Sequence, residues 1–420
     1  MTSRIKSVVA FFCFLGASHY LFTPAYNGYL LAFVVLAAAT VAKHCSYPRG
    51  TILSGAKSAT ILALLAASIL VTANNGADWR DIFRDFGVFL AFMVGRFVLP
   101  GWVGADRSTD LLRAMSVVGT IDSIATLLGA VVAYRAGADA YEWRGIYVPF
   151  AHNWLPYLLL SNVALARLEP QRQVIYWRRL ALCVLATLAS LSRTDIVLYV
   201  LFALAMILSS WRAIFSSRRR TATFLWSLAA LMVVVYASLG LSVVQERLNV
   251  GVGEDDPSVG WRVIEDLALL EHFDDHDLTT AFTGFGWGAR VPLPAGITDF
   301  DDNDSIPFLH NSLLTVVLKF GLIGLAVFLI YISKRLWFAW RTRRQAPEPR
   351  RLVGLWIVLF NLANSVTLQG LSEWSQVVFL GIGCFLLLPR TAASPGLDDD
   401  RMPTPSLQPE ASLGGLRKTE

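Results

Sequence analysis

The sequence predicts an all-α, polytopic membrane protein with about twelve transmembrane helices. Three observations carry this. Hydrophobic residues make up 55% of the 420 positions and charged residues only 16%, a balance foreign to soluble domains. The apolar residues come in long runs, such as Ile61 to Thr72 and Val197 to Leu208, rather than in periodic stripes. The cations then alternate between loops in the way that positive-inside topology requires.

In chain order, the spans fall at about 7–23, 27–42, 52–73, 82–99, 112–134, 151–168, 175–191, 194–211, 223–244, 310–332, 352–370 and 374–389. The first follows Arg4 and Lys6 and has no small-x-small cleavage site before Pro24. It reads as an uncleaved helix that sets the topology. With the N-terminus inside, the inside loops carry Lys43, Arg49 and Lys57, then Arg167, Arg172, Arg178 and Arg179, then Arg212, Arg218, Arg219 and Arg220. The loop after the tenth span adds Lys334, Arg335, Arg341, Arg343, Arg344, Arg350 and Arg351. The net charge of +5 matters less than this placement, and no nucleic-acid partner is expected. The four cysteines, Cys13, Cys45, Cys183 and Cys384, lie in or beside apolar runs without ligand spacing and read as small buried hydrophobes.

The organisation is therefore 1–244 as nine spans, 245–309 as one large outside loop, 310–389 as three more spans, and 390–420 as a Pro-, Ser- and Asp-rich disordered inside tail. The large loop is acidic, with Glu254, Asp255, Asp256, Asp274, Asp275, Asp277, Asp299, Asp301, Asp302 and Asp304 against Arg247, Arg262 and Arg290. Its aromatic and aliphatic content, and the GFGWG segment from Gly284 to Gly288, predict partial folding with short helices. The runs His272 to Asp277 and Asp299 to Asp304 lack calcium-loop spacing and read as solvated acidic surface.

The chemistry-bearing residues cluster on the outside face. His310 stands where the loop re-enters the membrane, in the opening turns of a helix capped by Asp304 or Ser305, with Pro307 in its first turn. A histidine there can take a proton, or it can simply cap the helix. Asn311 orients it or binds a hydroxyl. Gly321 and Gly324 share a helix face and suit close packing by a neighbouring helix. Arg193, in the short outside turn SLSRTD, faces a partner or polar cavity, or else anchors the interface beside Asp195. Arg262, in PSVGWR, is the second such cation, with a surface ion pair to Glu265 or Asp266 as the plainer reading.

A second His-Asn pair, His152 and Asn153 in VPFAHNW, echoes IPFLHNS and follows Arg144. It is either a second wall of one site or a coincidence of helix-start chemistry. Arg80, Arg84 and Asp85 sit at an outer helix end and can line an outward cavity, Arg84 as a substrate-binding candidate. Arg96 can snorkel from the inner end of its span. Asp122 and Lys319 lie deeper, where a charge costs about 2.5–3.5 kcal/mol, so each needs a partner: one another or other groups. The phosphate-binding GxxxxGK[ST], HExxH and GxSxG patterns are absent.

These residues together resemble a known family. His310-Asn311, nine residues, then Gly321-x-x-Gly324 resembles the signature of the O-antigen ligase and polymerase superfamily. Ser192-Arg193 is similar to the family's first essential arginine, and Ser258 to Arg262 to its second. Arg144 to Asn153 resembles a further stretch, although the family places Asn-Pro-Asn where this chain has Ala151-His152-Asn153.

The resemblance implies a membrane glycosyltransferase of the C-superfamily fold in the bacterial inner membrane, with both termini cytoplasmic and a periplasmic active site. It implies a glycan on undecaprenyl pyrophosphate as donor, a lipid A core sugar as acceptor for a ligase or a second glycan for a polymerase, and no metal or other cofactor. His310, Arg193 and Arg262 are then the expected catalytic residues. Asn311, Arg144, His152, Asn153 and Arg84 are the expected substrate contacts. Protein O-glycosylation by the same fold and a lipid-linked glycan flippase are the alternatives. The flippase would want midplane charges on several helices and internal repeats, whereas the notable polar residues here gather at the outer face.

Overall fold

The computed structural model describes residues 5–6, 8–10, 72, 77–100, 108–139, 151–190, 196, 257–293, 305–343, 349–367 and 374–388. These are mainly helical. Helix α1 is Trp79–Met93, α2 Ser108–Ala136, α3 Ala151–Leu168 and α4 Gln173–Ala189. In the large loop, α5 is Pro257–Asp274 and α6 Leu278–Thr283, and the two-residue strands β1 (Val291–Pro292) and β2 (Ser305–Ile306) follow. Helices α7 (Ser312–Arg343), α8 (Pro349–Thr367) and α9 (Trp374–Leu386) complete the described chain. The spans read at about 7–23, 27–42, 52–73, 194–211 and 223–244 lie wholly or almost wholly outside the described residues, as do the run Asp299 to Asp304 and the tail.

Each of the other seven spans coincides with a helix, with ends shifted by a few residues. The largest shift is in α7, which runs on to Arg343 instead of stopping near 332. Among the described residues two helices, Ser108–Ala136 and Ser312–Arg341, are long and apolar enough to cross a membrane.

The main core joins α1, α2, α3, α4, α8 and α9. Leu112, Met115, Tyr157, Leu158, Phe360 and Phe379 are fully buried in it. Tyr157 stacks on Phe379 with ring centroids 4.9 Å apart, and its hydroxyl meets Asn361 and Gln376 at 3.3 and 3.4 Å. Hydrogen-bonded side chains of this kind fix which faces meet where apolar packing alone discriminates poorly. At one end of the α2–α3–α4 bundle, Glu169 accepts from Arg113 at 2.6 Å and from Tyr176 at 2.8 Å. Cys183 and Cys384 are buried, as expected of small hydrophobes, and Cys13 and Cys45 are outside the described residues.

Helix α1 begins with Asp78 as cap, accepting the Arg80 amide at 2.8 Å. It continues into a π-helical turn, Val94–Val98, that bears Arg96. Helix α9 presses against this turn through Gly381, where a Cβ would lie 2.7 Å from the Arg96 amide nitrogen. Arg96 is consequently buried beneath α9, over the Phe97 ring, rather than free to snorkel.

The described loop residues, 257–293 and 305–309, are folded, and the 18-residue α5 is longer than the short helices expected. Ala268 and Leu269 of α5, Val291 of β1, Leu309 just before α7 and Leu318 within it form a small separate core. Strands β1 and β2 pair antiparallel, with Val291 opposite Ile306 and Pro292 opposite Ser305. This pairing draws the chain end just before α7 back against α5.

Candidate functional site

The site is built where α5 meets the residues leading into α7. One turn of α5 carries Arg262, Glu265 and Asp266, so all three project from neighbouring positions on one side of the helix. Glu265 is 2% exposed at its side chain and reaches across to His310. Its Oε2 accepts the His310 backbone N–H at 2.7 Å, and its Oε1 lies 2.8 Å from His310 Nδ1. The imidazole keeps 34% of its surface exposed, so its other edge remains approachable.

Helix α7 starts at Ser312, and Asn311 is its cap, its carbonyl accepting the Thr315 N–H at 3.1 Å. His310 therefore precedes the helix, where the sequence placed it in the opening turns. Ser305 belongs to β2 and Pro307 lies between strand and helix, so neither starts the helix as expected, and Asp304 is outside the described residues. The physical reason is that side chains take the amides a longer helix would need. Thr315 Oγ1 accepts the Leu309 N–H at 3.0 Å, and Glu265 takes that of His310.

Three polar atoms around this point are buried and unpartnered among the described residues: Arg262 Nε, Asp266 Oδ1 and Asn311 Oδ1. An orphaned guanidinium N–H costs free energy unless a partner meets it, so these atoms have hydrogen-bonding capacity left over for a polar group. Among the described residues no ion pair joins Arg262 to Glu265 or to Asp266, and Glu265 is committed to His310 instead. Burial, reinforced by the neighbouring Glu265 carboxylate, raises the Asp266 carboxyl above its usual range, while His310 pulls it down. Away from this point, His272 stacks on Phe285 at 4.3 Å, and burial, with His276 adding to it, lowers its imidazole from the ordinary 6.5.

Behind His310, a charged brace ties α1 to α7. Asp85 Oδ2 accepts from Lys319 Nζ at 2.7 Å and from the Gly288 N–H at 2.6 Å. Lys319 also donates to the Ala289 carbonyl. Asp81 pairs with Arg84 and with Arg290, the latter at 3.2 Å. Arg290 in turn holds β2 through the Ser305 carbonyl at 2.8 Å. The Arg84 guanidinium lies 4.7 Å from the centroid of the Phe308 ring, two residues before His310.

Lys319 and Asp85 side chains are each 4% exposed, so their pair is closed to a substrate. Breaking one half of such a pair costs about 3–5 kcal/mol, which makes it structural. Lys319 thus takes Asp85 as its partner rather than Asp122, whose Oδ2 is buried and unpartnered among the described residues.

Gly321 does something other than thin a helix face. At φ 65° and ψ −172° it breaks α7, a conformation open essentially to glycine alone. The break frees carbonyls, and the GFGWG segment crosses there to meet them: Phe285 N–H donates to Leu318 O at 2.8 Å and Gly286 N–H to Lys319 O at 2.9 Å. The two glycine-bearing stretches noted in the sequence are halves of one joint.

Of the expected site residues, Asn311 adjoins His310 in the chain, Arg262 lies one helical turn before the glutamate that contacts His310, and Arg84 lies over Phe308. Arg193 and Arg144 lie outside the described residues. His152 and Asn153 fall in the first turn of α3, where the backbone alone is described. Sequence reasoning missed Glu265, Asp81 and Arg290. For Glu265 a signal existed: it is an acid three residues beyond Arg262, on the same side of a loop helix.

Residues 180–329 match the family model described as O-antigen ligase. No curated protein matches the chain. The matched region contains Arg193, Arg262, Glu265, His310, Asn311, Gly321 and Gly324. Arg84, Arg144, His152 and Asn153 lie before it.

Proposed function

We propose that this chain, a member of the O-antigen ligase and polymerase superfamily through residues 180–329, is a membrane glycosyltransferase that moves a glycan from undecaprenyl pyrophosphate to a lipid A core sugar at the periplasmic face of the inner membrane. One observation carries the reading. Arg262, with a buried and unpartnered Nε, stands one helical turn from the glutamate that holds His310. A cation in want of an anion and an approachable imidazole are the two groups that glycosyl transfer from a pyrophosphate requires.

The reaction balances with these groups. The acceptor hydroxyl oxygen attacks the anomeric carbon, and its proton passes to the His310 imidazole. The bond from the anomeric carbon to the phosphate oxygen breaks, and its electron pair leaves with undecaprenyl pyrophosphate. Arg262, joined by Arg193, meets the growing charge with planar, bidentate donors, the role a divalent cation plays in other transferases. Asn311, whose side-chain Oδ1 is unpartnered among the described residues, receives a sugar hydroxyl. Arg84, Arg144, His152 and Asn153 extend the donor and acceptor contacts. Neither a metal nor a nucleotide is needed.

The test is reconstitution. Purified protein is supplied with a lipid-linked glycan, with and without lipopolysaccharide core. Transfer to the core supports the ligase. Glycan growth without the core supports a polymerase of the same superfamily. The absence of both overturns the reading.

A further inference from the structure

We infer that Glu265 is the positioning residue that makes His310 a base, by fixing its ring in the one tautomer that leaves Nε2 free to accept a proton; this rests on the transferase reading above. The geometry supports it from both ends of one carboxylate. A backbone N–H is always a donor, so the contact of 2.7 Å to Oε2 is a hydrogen bond that Glu265 accepts. Oε1 is the second acceptor of the same ionised group, so the ring nitrogen 2.8 Å from it, Nδ1, carries the hydrogen. The lone pair is then on Nε2, on the imidazole edge that is not turned toward α5. When that nitrogen takes the acceptor proton, the carboxylate lies against the imidazolium that forms, and this stabilises the transition state without a proton ever reaching Glu265.

The pairing is selective for a carboxylate. His310 presents two donors to residue 265, its amide and its Nδ1–H. Glutamate offers two acceptors. Glutamine offers one acceptor and one donor, so Glu265→Gln must meet one of the two His310 groups with its amide N–H. The amide of the chain cannot adapt, whereas the ring can move its hydrogen to Nε2. The variant therefore turns the ring into the tautomer with no lone pair facing the acceptor. Around the ring, α5 also contributes Asp266, whose charge interacts with His310, and Arg262, while Arg84 of α1 is held by Asp81 and Asp85 and lies over the Phe308 ring.

The test uses the full chain labelled with 15N at histidine, of which there are six, with His310→Ala identifying the His310 signals. Wild-type protein is expected to show neutral His310 with hydrogen on Nδ1, and Glu265→Gln with hydrogen on Nε2. In the transfer assay Glu265→Gln should lose about 10²–10⁴-fold in kcat, with KM for the lipid-linked donor changed less than about threefold. Glu265→Asp, which keeps two acceptors on a shorter arm, should recover part of the rate.

A wild-type spectrum with hydrogen on Nε2 overturns the inference with no variant needed, so poor folding of Glu265→Gln does not shelter it. Glu265→Gln with unchanged tautomer and rate overturns it as well. A His310→Ala protein that transfers at the wild-type rate refutes the base role, and with it this inference. A dead His310→Ala beside a fully active Glu265→Gln refutes the inference alone and leaves the transferase reading standing.

Discussion

Substituting Gly321 by alanine perturbs the joint on which the site rests. The residue sits at φ 65° and ψ −172°, where a side chain costs about 1–3 kcal/mol in backbone strain. Space is a second obstacle. A Cβ there would lie 2.1 Å from the Phe282 carbonyl oxygen and 2.5 Å from the Thr283 nitrogen, both main-chain atoms with no rotamer to escape into. Relieving the overlap moves the end of α6 away from α7. That motion stretches the bonds from Phe285 to Leu318 and from Gly286 to Lys319, each worth about 1 kcal/mol net.

Strain and two weakened bonds together come to about 3–5 kcal/mol, enough to lower the thermal midpoint by many degrees or to prevent accumulation in the membrane. The assay heats detergent-solubilised protein and follows the monodisperse fraction by fluorescence-detected size exclusion. Gly260→Ala is the control. It lies in α5, and no atom is found within 4 Å of its added Cβ among the described residues, so it should melt at or slightly above wild type. A Gly321→Ala protein that melts with wild type would refute the claim that the break and its crossing loop hold the site together.

Arg262→Ala and Arg193→Ala should each lower transfer by about 10²–10³-fold without loss of membrane accumulation, with lysine recovering little because it lacks the planar fork. Radiolabelled glycan transfer checks this. Transfer should survive excess EDTA, and loss restored by magnesium or manganese would move the chemistry to the acidic runs of the loop. Stability should carry a histidine step. Burial lowers the His272 imidazole below 6.5, so below that pH the unfolded chain binds more protons than the folded one. The His272 contribution is therefore complete above 6.5 and is lost as pH falls through the depressed value. His272→Phe, which keeps a ring against Phe285, should remove that step from a series of melts across pH.

Hydrophobic runs were enough to place seven of the helices, with ends within a few residues except at the far end of α7. Those signals are local and one-dimensional, and membrane helices depend on them heavily. The chain positions of His310, Asn311 and Arg262 were legible because each is a polar residue at the edge of an apolar run. What failed was pairing. The sequence offered Arg262 a neighbour at Glu265, yet the carboxylate turned to His310, a partner 45 residues away. It left Lys319 open to Asp122 or to other groups, and Asp85 of α1 is the partner.

The role of Gly321 was hidden for a related reason. A glycine within an apolar helix reads as a packing surface, and only the crossing of Gly284 to Gly288 shows that the carbonyls beside it are being answered. The start of α7 was misplaced because Asn311, rather than Asp304 or Ser305, caps it once β2 has claimed Ser305.

The central claim is that His310 takes the acceptor proton while Arg262 receives the leaving pyrophosphate. Its most direct measurement is single-turnover transfer of a lipid-linked glycan to lipopolysaccharide core by wild type, His310→Ala and Arg262→Ala, with donor binding measured separately on each. His310→Ala is expected to bind donor as wild type does and to lose about 10²–10⁴-fold in rate, whereas Arg262→Ala is expected to lose rate with weaker donor binding. A His310→Ala protein that transfers at the wild-type rate while its donor affinity falls would contradict it.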